Sequence, residues 1–88
     1  MDIGSLEKYY KLLANRRRLA IIKYLSQVKE ATVYQIADKI NLSFKATSKH
    51  LQLLKQAGFL DSDQVSLEQH YYLSDASNPL MKQAINNL

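Results

Sequence analysis

The chain has 88 residues, 47% of them apolar, and a formal net charge of +4, which gives one domain with a single core and leaves little room for separate cofactor and substrate halves. Two glycines and one proline are few for a sheet-rich fold of tight turns and few for a disordered linker. Zero cysteines exclude a disulfide framework, a thiolate metal site, a redox switch and a cysteine nucleophile.

Ser5 can cap a first helix over 5–14, whose apolar residues Leu6, Tyr9, Tyr10 and Leu13 recur at helical spacing. The pattern restarts after Asn15. Leu19, Ala20, Ile21, Ile22, Tyr24, Leu25 and Val28 make this stretch apolar on nearly every side, which predicts the central buried helix. Thr32-Val33-Tyr34-Gln35 then fits a capping box, with the Thr32 hydroxyl accepting from the Gln35 backbone N–H and the Gln35 side chain reaching back. Val33, Ile36, Ala37 and Ile40 follow as the single apolar stripe of a short third helix. Asn41-Leu42 breaks that helix, and Ser43 is a ready cap for a fourth over 44–57. Gly58 supplies its left-handed stop.

Beyond Gly58 the period changes from helical to two. Val65, Leu67, Tyr71 and Leu73 alternate with Ser66, Glu68, His70 and Tyr72, and with Phe59-Leu60 they predict a two-stranded hairpin. Asn78-Pro79 opens a last helix over 79–88, with proline at the favoured first position. Leu80, Met81, Ala84, Ile85 and Leu88 form its apolar stripe. The expected fold class is mostly α with a small β-hairpin wing: a winged helix-turn-helix in the order α-α-α-α-β-β-α, as one domain over 1–88.

Charge is unevenly placed along this string. Residues 8–55 hold eleven of the twelve basic residues and only Glu30 and Asp38 as acids, a net +9, while residues 1–7 and 56–88 are acidic. A basic block beside an acidic tail fits a polyanion-binding face, and equally a solvated helical surface. The fourth helix favours the first reading. At 100° per residue, Thr47, Leu51, Leu54 and Gly58 fall on one side, whereas Lys45, Ser48, Lys49, Gln52 and Gln56 fall on the other with no apolar residue among them. The major groove of duplex DNA admits one such helix, and donors and acceptors on its outer face reach base edges.

Three segments carry a family resemblance. LLANRRRLAIIKYL resembles the second-helix signature of ArsR-type winged helix-turn-helix regulators, with Arg16 and Arg17 in place of the usual Pro and Thr. INLSFKATSKHLQLLKQAGFL resembles the family's turn and recognition helix, with Leu42, Ser43, Ser48, His50, Leu51, Leu54, Ala57 and Gly58 at matching places, and HYYLSD resembles the wing exit. The resemblance covers residues 10–75. It implies a homodimeric transcriptional regulator, a repressor, that binds an inverted-repeat operator in double-stranded DNA and is no enzyme. Ser48 and Lys49 take its base-reading positions, Lys45 a groove-edge or phosphate position, and Ser43 the cap. The candidate DNA-binding set is Arg16, Arg17, Arg18, Ser43, Lys45, Thr47, Ser48, Lys49 and Gln52. The terminal helices of the family build the dimer, which assigns that role to Leu6, Tyr10, Leu13, Leu80, Met81, Ile85 and Leu88.

Two departures qualify the family picture. Cysteine-based metal sensors of the family carry a C-V-C-x-L motif on the third helix, where this chain has Ala31–Ile36, and residues 78–88 hold none of the Asp, His or Glu that ligate zinc in others. No metal and no cofactor is therefore expected. The wing tip, Ser62–Glu68, carries Asp63 and Glu68 where family wings often carry Gly with Arg, so a strong phosphate anchor there is not expected. A winged-helix protein-interaction module without DNA binding is the alternative function. His50 and His70 read as packed or hydrogen-bonded residues, the tyrosines as packing, and Arg16, Arg17 and Arg18 as phosphate contacts, because three arginines at a helix start oppose the macrodipole. The opening MDIGSLEKYY has no apolar signal-type run, and the longest fully apolar stretch, Leu19–Ile22, is far short of the ~20 residues of a membrane span. A cytoplasmic location is expected.

Overall fold

The computed structural model describes residues 1–74 and 79–88. The elements are α1 (Ile3–Leu13), α2 (Arg16–Gln27), β1 (Ala31–Thr32), α3 (Val33–Ile40), α4 (Phe44–Gln56), β2 (Leu60–Val65), β3 (Glu68–Leu73) and α5 (Pro79–Asn87). Five helices surround one end of a three-stranded antiparallel sheet of order β1-β3-β2.

Most helix ends are written in the local sequence. Asn15 accepts from Arg18 N at 3.1 Å, and Ser43 Oγ accepts from Ala46 N at 3.1 Å. Both bonds of the Thr32–Gln35 capping box form, at 3.2 and 2.9 Å. Asn41 closes α3 in the left-handed region at φ 56°, which a short amide side chain tolerates. After α4, Gly58 N donates to Lys55 O and Phe59 N to Leu54 O, both at 3.0 Å, with Gly58 at φ +84°. That is a Schellman ending, and it delivers Phe59 straight into the core.

Three expectations need correction. Asp2, not Ser5, caps α1: its carboxylate accepts from Ser5 N at 2.7 Å, so the helix starts two residues earlier and Ser5 lies in its first turn. A carboxylate suits the positive end of a helix at least as well as a hydroxyl. The hairpin gains a third strand, because Ala31 and Thr32 pair with Tyr71 and His70. The apolar alternation also fails to make a buried face along the whole wing. Tyr71 is buried and Leu73 half-buried, but Val65 is exposed and Leu67, in the two-residue turn with Ser66, is 94% exposed. Neither Val65 nor Leu67 is among the residues of the core cluster, which takes only Leu60 and Tyr71 from the two wing strands. Asn78, expected to open the last helix with Pro79, lies outside the described residues.

The core joins Ile21, Ile22 and Leu25 of α2 to Ile36 of α3, Leu51 and Leu54 of α4, Phe59, Leu60, Tyr71 and Met81. The ring of Tyr9 meets Phe59 edge-on at 5.5 Å, which fastens α1 to this cluster. Met81, expected at a dimer surface, is instead only 3% exposed and belongs to the protomer's own core. Among the described residues no helix is long and apolar enough to cross a membrane.

Candidate nucleic-acid interface

The site is built on α4, which the turn Asn41–Ser43 sets across α3. Its inner side chains Thr47, Leu51 and Leu54 have no exposed surface. Its outer residues Lys45, Lys49, Gln52 and Gln56 are exposed, with Ser48 half-buried between the faces. Among the described residues, no salt bridge or hydrogen bond engages the Lys45 or Lys49 ammonium; the lysines so engaged are Lys11 with Glu7 and Lys55 with Ser62. The outer face therefore presents two uncommitted cations and several amide and hydroxyl groups. Thr47, expected among the contacts, is a correction: it points inward, and its Oγ1 is buried with no hydrogen-bond partner.

The three consecutive arginines separate sharply. Arg16 is exposed. Arg17 extends from α2 to donate to the carbonyls of Ile40 and of Asn41, the latter at 3.1 Å. Arg18 donates through Nε to His50 Nδ1 and through a terminal nitrogen to Leu12 O, both at 3.2 Å. Placing arginines at the start of α2 opposes its own dipole, yet Arg17 sits at the carbonyl-rich end of α3 and Arg18 at that of α1. Each cation meets the negative end of a neighbouring helix, where the last carbonyls lack intrahelical partners. This role was missed from the sequence. Its only local signal is that Asn15 caps one helix directly after another ends.

His50 is held as an acceptor by Arg18, so its proton resides on Nε2. Burial pushes its imidazole below the ordinary histidine value, and the nearby charges of Arg18 and Arg17 push the same way. The wing is acidic. Tyr72 donates to Asp63 at 3.4 Å, and desolvation together with the charges of Asp63, Asp61 and Glu30 raises its phenol. His70 Nδ1 lies 3.4 Å from Glu30 across the sheet edge. Among the described residues no group of three or more His, Cys, Asp or Glu is placed to hold a metal ion.

The terminal helices lie side by side. Tyr10 and Leu13 of α1 with Leu80 and Ala84 of α5 line a shallow cavity of about 340 Å³. Tyr10 and Leu88 are exposed, while Leu6, Leu13, Leu80 and Ile85 are half-buried.

A family model described as bacterial regulatory protein, arsR family, matches residues 15–62. The chain is 32% identical over 74 residues to the cadmium resistance transcriptional regulatory protein CadC of Listeria innocua, covering 84% of this chain and 62% of that one. It is 34% identical over 65 residues to the arsenical resistance operon repressor of Escherichia coli K12, covering 74% of this chain and 56% of that one. The chain thus spans less than two thirds of the length of these relatives. Among solved structures, it is similar to the homodimeric winged helix-turn-helix DNA-binding domain of a possible ArsR-family transcriptional regulator from Mycobacterium bovis. The TM-score is 0.78 at 26% identity, over 97% of this chain and 75% of that one. The fold is a winged helix-turn-helix.

Proposed function

The chain belongs to the arsR family of bacterial regulatory proteins, and on that premise we propose a cytoplasmic, homodimeric transcriptional repressor that binds an inverted-repeat operator in duplex DNA through α4. One observation carries the reading: α4 has an inner face with no exposed surface and an outer face of uncommitted polar and cationic groups. In this reading Ser48, Lys49 and Gln52 address base edges, while Lys45 and Ser43 meet the groove edge and its phosphates. Arg16 touches phosphate from the start of α2. Arg17 and Arg18 support the interface by fixing α1, α3 and α4 against α2, rather than by meeting DNA.

Residues 1–88 act as one domain, with the dimer built by Leu6, Tyr10 and Leu13 of α1 and Leu80, Ile85 and Leu88 of α5. Met81 backs that surface from the core. The homodimeric state of the Mycobacterium bovis domain supports this arrangement. Two-fold symmetry places the half-sites about one helical turn apart, ~34 Å. Release from DNA is independent of metal, since Ala31–Ile36 and residues 79–88 lack Cys, His, Asp and Glu.

Selection of bound fragments from random duplex DNA by the purified protein tests this. Enrichment of an inverted repeat, bound with an affinity that falls steeply with salt, is the expected result. A pool that stays random refutes it and favours the second reading, a protein-interaction module, which the acidic wing residues Asp61, Asp63 and Glu68 support.

A further inference from the structure

Tyr34, in the first turn of α3, and Phe44, the first residue of α4, pack ring to ring with centroids 4.6 Å apart and planes tilted by 40°. The pair lies outside the core, for Tyr34 is 66% and Phe44 45% exposed. Phe44 stands one and two helical turns before Ser48 and Gln52, a spacing that puts all three side chains on one face. Tyr34, Phe44, Ser48 and Gln52 line a surface cavity of about 210 Å³, closed on its other side by Leu67 and Gln69 of the wing. The aromatic pair is thus continuous with the face of α4 that the DNA reading uses.

An apolar step on that polar, cationic face costs free energy in water and has no mate within the protomer. Lys45 and Lys49 stand to one side of it on the outer face of α4, while Glu68 lines the cavity from the wing; the two cations outnumber that carboxylate, so the surroundings favour a polyanion over an apolar protein surface. Among base edges in the major groove, the apolar feature is the C5 methyl of thymine, and phenylalanine is a side chain suited to contact it. The geometry points to Tyr34 and Phe44 as a thymine reader: their rings receive the methyl of one thymine per half-site, beside the hydrogen-bond readers Ser48, Lys49 and Gln52. This assignment rests on the DNA-binding reading above and adds base identity to it.

The test starts from the duplex that selection enriches. Each thymine of a half-site is replaced in turn by deoxyuridine, which removes the methyl and nothing else. Wild-type protein should lose about fourfold in affinity at one position per half-site, about 0.8 kcal/mol for one buried methyl. Phe44→Ala and Tyr34→Ala should bind the thymine and uracil duplexes alike, and Phe44→Leu should keep part of the discrimination. Indifference of the wild type to every such replacement overturns the thymine assignment while leaving DNA binding intact. Uracil sensitivity that persists undiminished in both alanine variants overturns it too. Enrichment of no duplex refutes the DNA reading and this assignment with it. The wild-type comparison alters only the DNA, so it does not depend on any variant folding.

Discussion

Removing the guanidinium of Arg17 isolates what the tertiary structure asks of the arginine run. Arg17 donates to the carbonyls of Ile40 and Asn41 and so holds the turn that orients α4. A hydrogen bond involving a charged group contributes about 1.5–3 kcal/mol. The Asn41 bond is exposed and the Ile40 bond part-buried, so water replaces the first almost fully and the second partly. Arg17→Ala should therefore cost about 2 kcal/mol, near the lower end for a single charged bond. For a domain of this size that lowers Tm by roughly 8–16 °C. Arg16, exposed, serves as the neighbouring control: Arg16→Ala should stay within about 0.5 kcal/mol of wild type. Arg17→Lys, with one point donor instead of a fork, should fall between them. Thermal and urea unfolding followed by circular dichroism at one fixed protein concentration reads all three, because the proposed dimerisation would make Tm concentration-dependent. Equal melting of Arg16→Ala and Arg17→Ala would refute the reasoning and return Arg17 to the surface.

Thr47→Val keeps the shape of a β-branched side chain and removes a buried hydroxyl that has no partner; it should stabilise by about 1 kcal/mol, seen as a raised urea midpoint. His50 is held below its ordinary value by burial and by Arg18 and Arg17, so the unfolded chain binds its proton more readily. Its contribution to stability is complete above about pH 6.5, the ordinary histidine value, and is lost as pH falls through the lowered folded value. Urea midpoints near neutrality and near about pH 5 should accordingly fall further in wild type than in His50→Gln; parallel losses would contradict the Arg18–His50 link. On the selected duplex, Lys49→Ala should cost roughly 1–3 kcal/mol and relax preference at one position per half-site, whereas Arg16→Ala should weaken all duplexes alike and lower the salt slope by about one. Asp63→Lys should tighten binding without changing preference, and fluorescence anisotropy at several salt concentrations would expose an unchanged affinity.

Local signals made much of the fold legible without coordinates. The Thr32–Gln35 box, the Asn15 and Ser43 caps and the Gly58 stop each involve groups three to five residues apart, so their energetics are settled within one helical turn. The two faces of α4 follow in the same way from its repeat, and with them the candidate reading set Ser48, Lys49 and Gln52. Competition between two adequate local answers is less determined: Asp2 and Ser5 can both cap α1, and the chain takes the earlier.

Contacts between distant segments are another matter. β1 is two residues long and is a strand only because β3 lends it an edge at Tyr71 and His70. Arg16, Arg17 and Arg18 are chemically identical neighbours, and the crossing of α2 over α1 and α3 decides which finds a carbonyl terminus and which is left for a ligand. Leu80 and Met81 differ by one position, yet that step of about 100° turns one toward the α1 groove and the other into the core. Tyr34 and Phe44 sit on different helices and become one apolar step only when the turn at Asn41 folds α3 against α4. Apart from the start of α1, the ends of the helices and the sides they turn inward are set locally, because those choices are made by groups within a few bonds of one another. Which of the three arginines and which terminal-helix side chains are consumed in joining the helices was decided by the packing, since it depends on distances between elements that no local spacing encodes.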